Sequence, residues 1–537
     1  MRSVLCWWLA VCLSLSIEMA QDVRGQEVRE QGSRGQWSDD ERMSLWSLKP
    51  VVAPQIGEQT PGLVRALEFG GGVEPVDALV EADEFELRGL SKPQLLQRLT
   101  LDLIGLRATV DEVNAFLADD SIGAYERQVD RLLGDPRFGE HWARMWLDVV
   151  RYSDSNGFDW DEFRKEAWRY RDFVVQAFND DLPYDTFMTW QLAGDELAGE
   201  ALVRGAPASA LERDQLIATG YMRLGPYDNA AKLFNEQDRA RVELLADLTE
   251  TTGSAFLGLT LSCCRCHDHK TDPLTQVDHY RFRAFFAATE FADALSISVS
   301  GGADTANGEA APAERQVGLL MSDKVDGVEA IRVFKQGDHR YAMEEVTVGF
   351  PSVLGEGEVV VEVPAHGKTT GRRLALAKWI ADPANPWTAR VYVNRVWQQL
   401  FGRGIVSTPN DFGITGGSPN TQGLLDHLAS EFVGGGWSTK GLIRRIVLSV
   451  EYRRAGGAQR VVRRLSAEQM RDVLLQVTGL LNHRMGGPAV WPEVDQDVLK
   501  ANPAVLDDNE TKTKGWYPSP KSEQTVRSLY LIQKRTI

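Results

Sequence analysis

All the cysteines that could cross-link distant parts of this chain are missing. Of 5 Cys in 537 residues, Cys6 and Cys12 fall in an apolar N-terminal stretch, and Cys263, Cys264 and Cys266 share a four-residue window. No disulfide framework can form between separate parts of the body, so the fold must rest on its hydrophobic core. A chain of this length with 43% hydrophobic residues is able to supply one. Thiols confined to one short window point to local chemistry.

Residues 261 to 273 read Leu-Ser-Cys-Cys-Arg-Cys-His-Asp-His-Lys-Thr-Asp-Pro. Within them, Cys263-x-x-Cys266-His267 has the spacing of a c-type haem attachment site. Two thiols three positions apart reach the two vinyl groups on one edge of the macrocycle, and the adjacent His places its imidazole under the iron. Two other readings stay open. Cys263, Cys266, His267 and His269 match a Cys₂His₂ zinc set by type, although zinc sites usually separate their ligand pairs by a loop. The segment could also bind no cofactor, with Cys264 available for a local disulfide or a C-x-C pair. For a haem iron, Met321, Met343, His279, His339 and His269 are the candidates for the second axial position.

The N-terminus suggests export. Met1 and Arg2 precede an uncharged apolar run from Ser3 to Ile17, Glu18 ends it, and Ala20 is a cleavage position. That run suits a secretory signal peptide over residues 1–20 better than a membrane span. Left uncleaved, it would be a single anchor and the only membrane contact expected. The expected location is periplasmic or extracellular. The net charge of −17 excludes a general nucleic-acid binder, which needs clustered cations. The 15 Trp residues suit helix–helix interfaces, with sugar-stacking platforms as the alternative.

Hydrophobic periodicity predicts a mainly α fold, two helical domains joined by a small β element. Residues 21–74 read as a polar linker or arm, 75–292 as the first helical domain, 293–370 as a linker with the β element, and 371–537 as the second. Ser91 and Pro93 open one helix, and Thr109 with Glu112 makes a capping box for the next. Further helices are expected over 125–133, 138–152, 167–178, 229–261, 385–401, 424–433, 440–452 and 466–481. Residues 330–334 and 358–363 read as strands. A polar, aromatic stretch from Arg151 to Asp172 is a second candidate site. Its Asp154 and Asp159 could work as an acid/base pair or as metal ligands, and they could equally pair with Arg169 and Arg171 to close a helix–loop junction.

Several blocks carry a family resemblance. Arg98 to Leu106, His141 to Asp148, Arg151 to Arg171, Gly194 to Leu197 and Cys263 to Pro273 resemble the cytochrome-associated domain of exported planctomycete proteins. Arg372 to Ala377, Val393 to Trp397, Phe401 to Gly404, Pro409 to Gly413, Arg484 to Pro488 and Arg527 to Tyr530 resemble its usual C-terminal partner domain. Both are domains of unknown function. The resemblance implies haem c at Cys263, Cys266 and His267. Members of this family often occur in bacteria that degrade complex polysaccharides. The reading taken is an exported c-type haem protein that passes electrons to or from a redox partner, such as a separate cytochrome c, in the service of extracellular polysaccharide breakdown. Cys264 stands where the family usually has a small residue. The segment after Arg454 looks shortened, and the partner domain usually runs on beyond Ile537. A non-redox, metal-stapled scaffold for glycan or protein partners is the alternative.

Overall fold

The computed structural model describes residues 44–56, 74–80, 89–158, 161–199, 201, 209–292, 296–298, 315–355, 359–455, 461, 464–501 and 515–535. The expected signal segment and most of the arm therefore lie outside the described residues. The fold is mainly α, and the described residues include three small antiparallel sheets of two strands each.

Local chemistry sets the helix ends. Thr109 accepts the amide of Glu112 while the Glu112 carboxylate accepts the amide of Thr109, and the helix Val110–Ala118 follows. The same box opens Lys92–Leu103 at Ser91 and Ala467–Val477 at Ser466. Aromatic helices Arg137–Val149, Ala167–Asn179 and Tyr184–Leu197 bury Trp142, Trp146, Phe173 and Phe187. The helix Thr388–Phe401 is buried along most of its length and brings Val393, Val396 and Trp397 into the second half's core.

The two helical halves share one core. A single cluster of buried side chains runs from Leu99, Trp146 and Phe256 to Tyr392, Trp397 and Ile446. Tyr184 of the first half stacks on Tyr392 of the second with centroids 3.8 Å apart. Burying each large apolar side chain contributes roughly 1.5–3 kcal/mol, so a shared core binds the halves together. Residues 43–537 accordingly form one compact unit. Part of the expected arm joins it: Leu48 is buried in the core, the tilted rings of Trp46 and Phe412 have centroids 5.1 Å apart, and the carbonyls of Lys49 and Pro50 accept from Arg390.

Some expected elements change on folding. The long helix expected over 229–261 is three pieces. A 3₁₀ turn Ala231–Phe234 ends at Asn235 in a left-handed conformation, the helix Gln237–Thr252 follows, and a π turn Gly253–Leu257 stops at left-handed Gly258. Residues 440–452 break at Ser449, which caps a new short helix Val450–Arg453. The strand Ile331–Phe334 forms and pairs with Ala342–Val346. The strand expected at 358–363 does not: residues 359–363 find no ladder partner, and Val360 and Val363 stay exposed. Every Trp among the described residues is buried or half-buried, which fits interface packing.

Candidate functional site

The Cys segment follows directly from the π turn that ends helix Gln237–Thr252. Cys263–Arg265 form one 3₁₀ turn, and the helix Gln276–Arg283 begins ten residues on, capped by Thr275 and Asp278. The turn sends neighbouring thiols in opposite directions. Cys263 and Cys266 are exposed, while Cys264 is fully buried, its Sγ 3.8 Å from the Leu274 carbonyl. Burial pushes the Cys264 thiol up to about 12, which keeps it protonated and inert. Arg265 is pinned by two hydrogen bonds to Glu243, at 2.9 and 2.5 Å.

His267 is exposed, with Nδ1 2.6 Å from the Asp268 carbonyl. A carbonyl can only accept, so Nδ1 carries the proton and Nε2 keeps its lone pair for a metal. This is the carbonyl-oriented imidazole that metal sites use to fix a ligand's tautomer.

The rest of the motif ties the two halves together. His269 Nδ1 accepts the amide of Asp272 at 2.8 Å, so its Nε2–H donates to Thr260 Oγ1 at 3.0 Å. Thr260 in turn donates to Asp272 Oδ2 at 3.3 Å, and Asp272 Oδ1 accepts the amide of Ile414 at 2.7 Å. Gly413 approaches so closely that a Cβ there would lie 2.1 Å from the Asp272 carboxylate. Both nitrogens of His269 are thus committed, and it does not converge with Cys263, Cys266 and His267. Among the described residues no three His, Cys, Asp or Glu side chains assemble a metal-ion site. Among the described residues the Cys₂His₂ set does not assemble, and one of its four donors, His269, is held by Thr260 and Asp272 instead.

A β hairpin covers one flank of the motif. Gln276 donates from one amide to both the Arg265 carbonyl at 3.1 Å and the Phe334 carbonyl at 2.9 Å. Tyr280 donates to the Arg265 carbonyl at 3.1 Å, and its ring meets Phe334 edge-on at 5.4 Å. At the hairpin turn, Gly337 has φ +76° and a Cβ there would stand 2.7 Å from Cys266 Sγ.

The second candidate site proves to be a clasp. Asp154 is buried and accepts the Tyr152 hydroxyl at 2.6 Å and the Gln533 amide at 2.8 Å, while its own amide donates to the Gln533 carbonyl at 2.8 Å. Ser153 donates to that same carbonyl, Ser155 accepts the Arg535 amide, and Lys534 pairs with Asp161 at 3.3 Å. Arg169 pairs with Glu166 and stacks on Trp168, and Arg171 pairs with Asp172 and covers Tyr530. Asp159 lies outside the described residues. Nothing in the sequence pattern signalled the distant partner, residues 533–535, because that pairing is purely tertiary.

Two cavities lie elsewhere. One of about 400 Å³ is lined by Tyr227, Arg241, Phe291 and Lys324, and another of about 230 Å³ by Glu140, His141, Asp472 and Arg527. Neither is lined by the exposed thiols or His267.

Fold and site together define a mainly helical protein with a surface C-x-x-C-H turn lodged between two halves that share a core. Residues 76–291 match the family model PSCyt2, described as a protein of unknown function (DUF1549), and residues 372–537 match PSD1, also described as a protein of unknown function (DUF1553). The chain belongs to the family that carries these two domains in this order. No curated protein and no solved structure matches it.

Proposed function

We propose that this protein is an exported c-type haem protein that exchanges electrons with a separate redox protein, such as a cytochrome c, in the service of extracellular polysaccharide breakdown. The observation that carries the haem reading is the turn itself. It exposes Cys263 and Cys266, buries Cys264 between them, and leaves His267 Nε2 free with Nδ1 held by a carbonyl.

Cys263 and Cys266 would hold the macrocycle through thioethers, each thiol adding across a vinyl group so that no oxidant is needed, and His267 would offer its Nε2 lone pair to the iron. Bound haem supplies a one-electron couple at the protein surface, where a partner can reach it. Asp272, His269 and Thr260 keep the turn fixed relative to both halves. Export supports the reading, because such attachment takes place outside the cytoplasm, and the N-terminal apolar run carries that part. Among the described residues no helix is long and apolar enough to cross a membrane.

A pyridine haemochrome spectrum of the full chain, matured with a haem-attachment system, tests this. A c-type spectrum at one haem per chain is expected. Folded, exported protein without covalent haem would overturn it.

A further inference from the structure

We propose that His339, on the turn of the hairpin beside the Cys segment, is the distal axial ligand of the haem iron. The inference rests on the haem reading above and adds the residue on the other side of the metal.

The hairpin is built against the attachment site. Its incoming strand Ile331–Phe334 is fastened to the Cys turn by the Gln276 amide and the Tyr280 ring. Its turn then presses Gly337 onto Cys266, in a left-handed conformation and with no room for a side chain. His339 follows two residues later, at most roughly 7 Å further along the chain. The turn is held in one shape. Lys335 donates to the Tyr341 carbonyl at 2.9 Å, Asp338 to the Lys335 carbonyl at 3.1 Å, and Asp338 accepts both the amide and the guanidinium of Arg340. Within that turn, the His339 side chain is half-buried beside the Asp338 carboxylate, and among the described residues no hydrogen bond ties up its ring. A held backbone carrying an imidazole without a hydrogen-bond partner, next to a carboxylate, is what an axial ligand needs.

The other candidates are placed or occupied wrongly. Met321 is fully buried in the core as part of a strand paired with Thr289–Phe291. His279 is fully buried, with Nδ1 on the Leu261 carbonyl at 3.0 Å. An iron tethered to two exposed thiols is reached from the surface, not from within the core. His269 has both nitrogens engaged. Met343 sits on the outgoing strand, past the turn, and serves as the internal comparison.

The experiment compares wild type, His339→Ala and Met343→Ala as full chains matured with haem. Each is scored by haem stain, melting temperature, ferric spectrum and carbon monoxide binding to the reduced form. Wild type and Met343→Ala should be low-spin and closed to carbon monoxide. His339→Ala should keep its stain and its melt, turn high-spin, bind carbon monoxide, and return to low-spin on adding free imidazole. A low-spin His339→Ala, a high-spin wild type, or loss of the low-spin form in Met343→Ala instead would overturn the assignment while leaving covalent haem standing. Absence of stain in the wild type would overturn both readings at once.

Discussion

Replacing Arg373 by Met removes a cation that both halves depend on. Arg373 is fully buried, and its guanidinium grips Asp195 at 2.7 and 2.8 Å and Asp323 at 3.1 and 2.7 Å, with a further bond to the Leu192 carbonyl at 2.9 Å. Glu196 stands 3.7 Å away and caps the same helix start by accepting the amides of Arg373 and Leu374. First half, β element and second half therefore meet at one side chain. A buried pair is weak evidence of net stabilisation, but removing one partner strands the other. Breaking such a pair costs about 3–5 kcal/mol, and here the loss leaves three buried carboxylates, Asp195, Glu196 and Asp323, with no cation between them. Unfolding entropy of about 2.1 cal/mol/K per residue gives roughly 1 kcal/mol/K for a unit of about 500 residues, so the melting temperature should fall by roughly 3–5 °C. Scanning calorimetry reads this directly. Arg373→Lys should lose less than Met, because it keeps the charge but not the two-pronged fork. Adding Asp195→Asn and Asp323→Asn to Arg373→Met should recover part of the loss. An Arg373→Met protein melting within about 1 °C of wild type would refute the reasoning.

Three further outcomes follow from the same structure. Asp154→Asn turns an acceptor of two hydrogen bonds toward the Tyr152 hydroxyl and the Gln533 amide into a group with one donor end, at a cost of about 1–3 kcal/mol. Its melt should drop while the haem spectrum stays unchanged; an unshifted melt with an altered spectrum would make the clasp a working site. Burial lowers the His279 pKa from 6.5 to about 3, so the unfolded chain takes up a proton that the folded one refuses. Stability should fall by about 2 kcal/mol as pH drops from 6.5 to 5, and His279→Gln should flatten that window in denaturant titrations; an unchanged slope in the variant would contradict it. Asp272→Ala should unfasten loop 408–417 from the Cys segment, read as faster amide exchange at Ile414, with normal exchange there as the contrary result.

Capping and periodicity are local, and they were legible. Thr109 with Glu112, Ser91 with Pro93, and Ser466 each open a helix where their side chains predict one. The breaks at Asn235 and Ser449 were missed because apolar spacing continues across them while a single left-handed residue or a capping hydroxyl turns the chain. A valine-rich run at 359–363 carried strand propensity but no partner, and propensity alone does not make a ladder. At the candidate site, the spacing of Cys263, Cys266 and His267 was visible, as was the oddity of Cys264. The burial of Cys264 and the commitment of His269 to Thr260 and Asp272 arise within ten positions but depend on how the turn folds back on itself, while the hairpin laid against Cys266 and the Ile414 amide on Asp272 come from 71 and 142 positions away. The Arg373 fork and the clasp on residues 533–535 are likewise long-range pairings that no local pattern announces.

Haem staining of denaturing gels for three single variants, Cys263→Ala, Cys264→Ala and Cys266→Ala, bears most directly on the cofactor. Each is expressed as the full chain with a haem-attachment system and checked for folding by its melt. Cys264 points into the core and Cys263 and Cys266 point out, so stain should persist in Cys264→Ala, and Cys263→Ala and Cys266→Ala should each lose the two-thioether c-type product. Stain lost in Cys264→Ala and kept in Cys263→Ala, or no stain in any folded form including wild type, would contradict the proposed attachment.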